Sequence, residues 1–347
     1  MKAWSPAEET ARIHAARGGD SQAFAGLVEP YRNELIAHCY RLLGSSLDAE
    51  DAVQDVLLRA WQHLDGFEGR APIRAWLYKI ATNVCFDRMA KRPRRALPSA
   101  MRLPSDPGQP FEPPVLEPIW LEPFADSLIA DASGNPDARH GLRESVSLAF
   151  VAVLQTLTPE QRVVLVLRDV LEWRAAEVAE MLDMTVSAVN SALRRARVAL
   201  GKRYQPERLT TLSQPKNPLV RDVLEQYVQA WERADVSALV ALLRDDTIFI
   251  MPPLPCWYVG PTAIADFFDR VVFVGSKRRW RTISTRANGQ PAFALYQFDA
   301  TDGAYHPYAI QVLRVEGGKL IALMAFMTAA LVGRFGMPAR LDADAST

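Results

Sequence analysis

Two stretches of this chain carry residue types that could read a nucleic acid. Between residues 73 and 89, helical spacing leaves Lys79, Thr82, Asn83, Phe86 and Arg88 on one side. An exposed ring can stack on an unstacked base while neighbouring cations hold phosphates, which is the chemistry of single-strand recognition. Between residues 186 and 202, Asn190, Ser191, Arg194, Arg195 and Arg197 fall outward. Arg pairs bidentately with guanine and Asn with adenine in a major groove, so this second stretch suits a duplex.

The elements that must hold these side chains read as helices. Phe24, Leu27, Val28, Tyr31, Leu35, Ile36, Cys39 and Leu42 recur every three or four residues, which predicts one helix ended by Gly44. Asp48 is then a candidate N-cap. A helix over 50–64 keeps Val53, Val56, Leu57, Ala60 and Trp61 on one side and Asp51, Gln54, Asp55, Arg59 and Gln62 on the other. The next, over 73–89, turns Trp76, Leu77, Ile80, Val84 and Cys85 inward. Further on, Thr158-Pro159-Glu160-Gln161 reads as a capping box with Pro at the first helical position, opening a Val/Leu-rich helix to Leu171. A short amphipathic helix over 174–182, a break at Asp183-Met184-Thr185 and a longer helix over 186–202 make a helix-turn-helix pattern. The same pattern also fits an amphipathic hairpin whose basic end suits the helix dipole.

Charge and composition divide the chain. Its 347 residues suggest two or three domains. Lys+Arg and Asp+Glu number 40 each, but this balance is a cancellation of blocks. Residues 70–95 carry a net charge of +7, whereas residues 103–138 carry seven acids, no Lys or Arg, and eight of the 24 prolines. That acidic stretch reads as an extended linker without long helices or ladders. Three scattered cysteines (Cys39, Cys85, Cys256) give neither a disulfide framework nor a metal knuckle, so no metal or other cofactor is expected. The longest nearly unbroken apolar run, Leu320 to Val332, has 13 residues, short of the roughly 18 that a membrane span needs. The first twenty residues lack a signal-peptide core, so a cytoplasmic location without membrane partners is expected.

Beyond residue 217 the pattern changes. Two amphipathic helices (Val220 to Trp231, Leu239 to Leu243) precede a strand over 246–251, a helix over 263–271 and two hairpins. The first hairpin turns at Asn288-Gly289, a type I′ signal, and the second at Gly317-Gly318. Helices followed by a curved antiparallel sheet make an α+β domain.

The segments DAEDAVQDVLLRAW, RAWLYKIATNVCFDRMAKR and LTPEQRVVLVLRDVLEWRAAEVAEMLDMTVSAVNSALRRARVAL resemble three successive regions of extracytoplasmic-function (ECF) sigma factors, over about residues 20–204. MPPLPCWYVGPTAIADFF and ANGQPAFALY resemble the SnoaL-like family, with its cone-shaped fold, over roughly 218–335. The resemblance implies a multidomain chain. It comprises an N-terminal extension (1–19), an all-α sigma region 2 (20–95), the acidic linker (96–138) and an all-α sigma region 4 with the helix-turn-helix (139–204). A short linker (205–217), the α+β SnoaL-like domain (218–335) and a tail (336–347) complete it. It implies core RNA polymerase (its β′ clamp and β subunits) and promoter DNA as partners. Asp51, Gln54, Asp55 and Arg59 would meet the clamp; Trp76, Lys79, Asn83, Phe86 and Arg88 the −10 element; and Asn190, Ser191, Arg194, Arg195 and Arg197 the −35 element.

WLEPFAD interrupts the acidic linker with an apolar patch and resembles a short motif in sigma factors with a C-terminal extension. Docking through Trp120, Leu121 and Phe124 is expected, against the alternative of a local turn. Pocket candidates for a small ligand of the last domain are Trp231, Met251, Trp257, Tyr258, Phe267, Tyr296, Met324 and Phe326; the competing role is plain core. His306, Asp266, Asp269 and Tyr308 are available for acid–base work, but none forms a recognised catalytic pair, and no enzyme activity is expected. The rival readings are a bifunctional chain with an isomerase or cyclase at its end, and a repressor-like helix-turn-helix protein. The second of these has no use for the stretch from Asp48 to Arg95.

Overall fold

The structure is a computed structural model describing residues 4–69, 71–110, 112–117, 119–130, 145–201, 217–274 and 279–342. Arg70, Lys202, Arg203, the start of the expected second helical domain (139–144) and nearly all of the second linker (205–216) lie outside the described residues. The chain forms two compact units, residues 1–95 with 126–204, and residues 96–125 with 205–347. The acidic linker is therefore divided, and most of it belongs with the C-terminal domain. No helix among the described residues is long and apolar enough to cross a membrane.

In the first unit, α1 (Pro6–Arg17) starts from a capping box between Ser5 and Glu8. The helix expected over 24–42 is broken into α2 (Ser21–Val28), a 3-10 turn (Glu29–Tyr31) and α3 (Arg32–Leu43). Pro30 sits in the break, where its missing N–H and its ring oppose a continuous helix. Gly44 takes φ 73° and ends α3, its N–H reaching Tyr40 O at 2.7 Å. The cap of α4 (Ser46–Gln62) is Ser45, whose Oγ accepts from Asp48 N at 3.0 Å, and not Asp48 as the spacing suggested. Helix α5 (Ile73–Lys91) packs on α3 and α4 through Leu77, Ala81, Val84 and Cys85, all buried.

The same unit continues with α6 (Leu148–Leu154) and α7 (Pro159–Leu165), opened by the expected capping box, Thr158 and Gln161 each accepting from the other's N–H at 3.3 Å. One π turn (Val166–Val170) closes α7. Helices α8 (Ala175–Met181) and α9 (Val186–Gly201) flank a turn in which Asp183 takes φ 53°, and Thr185 Oγ1 accepts from Ala188 N at 3.1 Å. Two buried arginines tie these helices to α3. Arg41 donates to Ser145 Oγ at 2.9 and 3.1 Å, and Arg162 donates to Leu42 O and to Gln155 Oε1. Desolvation pushes both guanidiniums down to about 10.

The second unit holds α10 (Pro218–Arg233), α11 (Val236–Ala241), α12 (Pro261–Phe267) and α13 (Ala329–Arg334) around one sheet. Its strands are β1 (Leu243–Ile250), β2 (Trp257–Val259), β3 (Trp280–Ala287), β4 (Gln290–Asp299), β5 (Ala304–Glu316), β6 (Lys319–Phe326) and β7 (Leu341–Asp342). The order is β2-β1-β6-β5-β4-β3, with β7 beside β5. The sheet is mixed and not wholly antiparallel, because β1 runs parallel to β6. Phe249, Phe293, Leu295, Leu313 and Leu323 pack inward against Tyr227 and Trp231 of α10.

His38 on α3 is fully buried, its Nε2 3.1 Å from Thr82 Oγ1. Burial, aided by the Arg41 and Arg74 charges, pushes its imidazole from 6.5 down to about 3. Below pH 6.5 the unfolded chain takes up a proton that the folded chain refuses, so stability present above 6.5 is lost as the pH falls towards 3. Urea unfolding of the chain should therefore weaken between pH 7 and pH 5 by at most about 1.4 kcal/mol per unit from this group. His38→Gln should remove that part of the slope, and an unchanged slope would assign it to another group.

Candidate nucleic-acid interface

The face of α5 expected to meet single strands is narrower than its sequence suggests. Lys79 and Asn83 are exposed, Phe86 is half-buried, and Trp76 rests against Phe67 with ring centroids 5.1 Å apart. Thr82 does not belong to this face: it is buried on His38. Arg88 is only partly available. Its Nη2 bonds Asp55 Oδ2 at 2.6 Å and its Nη1 bonds Asp48 O at 3.3 Å. Arg59 and Asp87 pair the other way round, at 3.4 Å. Asp48 holds Arg92 and Arg95. Burial works to raise the Asp48 carboxyl, but the two guanidiniums outweigh it and hold it below the usual carboxylate range. Two acids of α4 thus engage three of the basic groups that follow Asp87, while Lys79 and Lys91 stay exposed.

On the outer side of α4, Asp51, Gln54 and Arg59 are exposed and Asp55 is half-buried. Leu58, 56% exposed, sits among them. Helical periodicity alone does not single it out, although one leucine of the Leu57-Leu58 pair must leave the apolar stripe. A cleft of about 720 Å³ opens beside α5, with Phe67, Trp76 and Lys79 on one wall and Trp173, Glu177 and Glu180 on the other. The ring of Trp173 lies 5.4 Å from that of Tyr78. On α9, Asn190, Arg194 and Arg195 are exposed and Ser191 is half-buried, all on one side. Arg197 departs from the expectation. It bonds both carboxylate oxygens of Asp169 at 2.7 and 2.9 Å, which raises its pKa and makes it a strut to the π turn after α7.

In the second unit the eight pocket candidates do not converge. Trp231, Met251, Tyr258 and Phe267 join the inner core, where Phe268, Phe273 and Trp280 stand edge-on to Trp231 at 5.3–5.5 Å. Tyr296, Met324 and Phe326 alternate onto the other face, and Tyr296 OH donates to Pro338 O at 2.7 Å. Trp257 serves the linker instead: its Nε1 donates to Arg102 O at 3.0 Å, and its carbonyl accepts from Ser105 N at 2.7 Å. Two of the acid–base candidates are paired, His306 with Asp302 at 2.8 Å and Asp266 with Arg270 at 2.7 Å, while Tyr308 packs on Trp280 and Asp269 is exposed.

The linker is held at both edges of the sheet. A bridge between Ala96 and Trp120 closes it into a loop, and Trp120 Nε1 donates to Val115 O at 2.8 Å. Val115 N reaches Pro253 O at 2.9 Å, near the β2 edge. At the opposite edge Phe124 N donates to Asn288 Oδ1 at 2.8 Å, and Asn288 N donates to Phe124 O at 2.9 Å. Leu121 and Phe124 are fully buried. The hairpin signal at Asn288-Gly289 was legible in the sequence, but its second use as a receptor for the linker was not.

Residues 27–95 match the sigma-70 region 2 family, 147–200 the sigma-70 region 4 family, and 224–323 the SnoaL-like domain. Over 324 residues the chain is 43% identical to the ECF RNA polymerase sigma factor SigG of Mycobacterium tuberculosis, covering 93% of this chain and 85% of that one. The chain belongs to the ECF sigma factors. Bacillus subtilis SigW is 30% identical over 194 residues, covering 56% of this chain and 95% of that one. The crystal structure of Mycobacterium tuberculosis SigJ shares the fold over 91% of this chain and 99% of that one, with TM-score 0.53 and 22% identity.

This ECF sigma factor is a transcription initiation factor with a SnoaL-like C-terminal domain. The linker lies between the matched regions, so Asn288 and Phe124 offer a test of its docking. Asn288 takes φ 56°, so Asn288→Gly keeps the backbone geometry and deletes the side-chain acceptor. Amide hydrogen exchange at Phe124 should accelerate about tenfold in Asn288→Gly, while Leu295 in β4 keeps its protection. Equal acceleration at both would mean a loosened domain and not a released linker.

Proposed function

We propose that α4 docks this sigma factor on core RNA polymerase through Asp51, Gln54, Asp55 and Arg59, meeting the β′ clamp, with β as a further contact. Helix α5 then opens and reads the −10 element with Trp76, Lys79, Asn83 and Phe86, and α9 reads the −35 element with Asn190, Ser191, Arg194 and Arg195. Arg88 and Arg197 act mainly as struts in this reading. The C-terminal domain regulates the factor in cis by holding the linker. The observation that carries this last step is the pair of opposed hydrogen bonds between Phe124 and Asn288, one backbone to backbone and one to the Asn288 side chain, together with the bond from Trp257 to Arg102. The aromatic packing around Trp231 favours regulation through that contact over control by a small-molecule ligand or an isomerase-type activity.

Run-off transcription with core polymerase tests the reading, comparing the whole chain with one ending near Lys216. The two should differ with no substrate added, and equal transcription over a range of salt would remove the regulatory step. Asn83→Ala should reduce open-complex formation while leaving core binding intact. Arg194→Ala or Arg195→Ala should cost about 1–3 kcal/mol on a matched −35 duplex if the side chain reads a base. A uniform loss on every −35 variant would make the contact a phosphate contact instead.

A further inference from the structure

Helix α1 precedes the segment that matches sigma-70 region 2, which begins at residue 27, yet its side chains reach the surface that faces single-stranded DNA in the reading above. Arg17 spends its guanidinium on the loop between α4 and α5. Its Nε donates to Leu64 O at 3.2 Å, and its Nη2 donates to Phe67 O. Phe67 in turn packs its ring against Trp76. Glu9 acts at the next joint. The cap of α5 is Pro72, which offers no side-chain acceptor, and the first turn of α5 contains no acid. Glu9 Oε1 accepts the N–H of Ile73 at 3.4 Å and so supplies both an acceptor and the negative charge that a helix N-terminus favours.

We propose that α1 is a positioning element for −10 recognition, with Arg17 fixing the backbone at Leu64 and Phe67 and Glu9 fixing the start of α5, so that buried Phe67 backs Trp76 and the Trp76–Lys79 surface keeps one shape for an unstacked base. The inference rests on the assignment of α5 to the −10 element. A guanidinium suits the task because one planar group spans two carbonyls three residues apart, which an ammonium cannot match in direction. Arg17 itself is exposed, so replacing it removes the tie without opening the core.

The test uses holoenzyme assembled from core polymerase and the whole chain, binding single-stranded oligonucleotides with a matched or a substituted −10 sequence. Arg17→Gln should lower the preference for the matched strand by about tenfold, with affinity for the substituted strand and for duplex −35 DNA held within about twofold. Arg17→Lys should restore part of the preference, and Glu9→Gln should lower it by a smaller factor. Wild-type discrimination in Arg17→Gln would overturn the proposal, as would an equal loss on both strands, which marks a general folding defect. If the unmodified holoenzyme itself binds both strands equally, it is the −10 assignment of α5 that fails.

Discussion

Two guanidiniums out of contact with water hold the helical unit together. Arg41 and Arg162 are buried, and oxygens at Ser145, Leu42, Gln155 and Leu157 take their protons. Among the described residues no carboxylate pairs with either guanidinium, and these oxygens solvate the charges as dipoles. Such a group tolerates little rearrangement, because leaving a buried charge without acceptors costs about 3–5 kcal/mol. Arg162 draws its acceptors from both sides of the unit, from the end of α3 and from the turn before its own helix. Separating α3 from α7 therefore requires water or a partner to take over the guanidinium, which turns a packing contact into a conditional one.

Charge is rationed in the same unit by proximity. The basic block of residues 70–95 reads as a positive surface, but Asp48 and Asp55 stand against its C-terminal half. What faces outward is therefore a mixture of one lysine, an amide and two aromatic rings near the middle of α5. Such a mixture grips phosphates weakly and depends on stacking, which favours an unstacked strand over a duplex. Helix α9 is the opposite case. Its Arg194 and Arg195 are exposed beside Asn190, a composition that suits paired bases and a charged backbone.

How much of this could be read from the residues follows from the range of each interaction. The Thr158–Gln161 capping box, the Gly44 terminus and the Asn288-Gly289 turn are local, and each was legible. Asp48 misled because its spacing fits a cap while its carboxylate is taken by arginines more than forty residues on. Thr82 misled because only the position of His38, on another helix, decides which way it faces. The parallel pairing of β1 with β6 joins strands about seventy residues apart, and no periodicity in either strand encodes its partner. The pocket candidates illustrate the same limit. Aromatic residues at strand spacing announce burial, but the face on which each is buried depends on register, and Trp257 and Tyr258 diverge although they are neighbours.

The linker shows how composition and docking can coexist. Its prolines and acids forbid a core of its own, and Leu103 and Leu116 remain 86% and 85% exposed. It nevertheless acquires order because the sheet provides unpaired backbone at its two edges, near β2 and at the β3–β4 turn. Proline-rich chain suits such a site. It is already extended, so less conformational entropy is lost when it is laid along a sheet. Few of its backbone donors need partners, and those at Ser105, Val115 and Phe124 find them in the C-terminal domain. Backbone bonds alone would hold any extended peptide there. Selectivity comes from side chains: Leu121 and Phe124 are fully buried, so only a segment with apolar residues at these two positions matches the site as well as this one does.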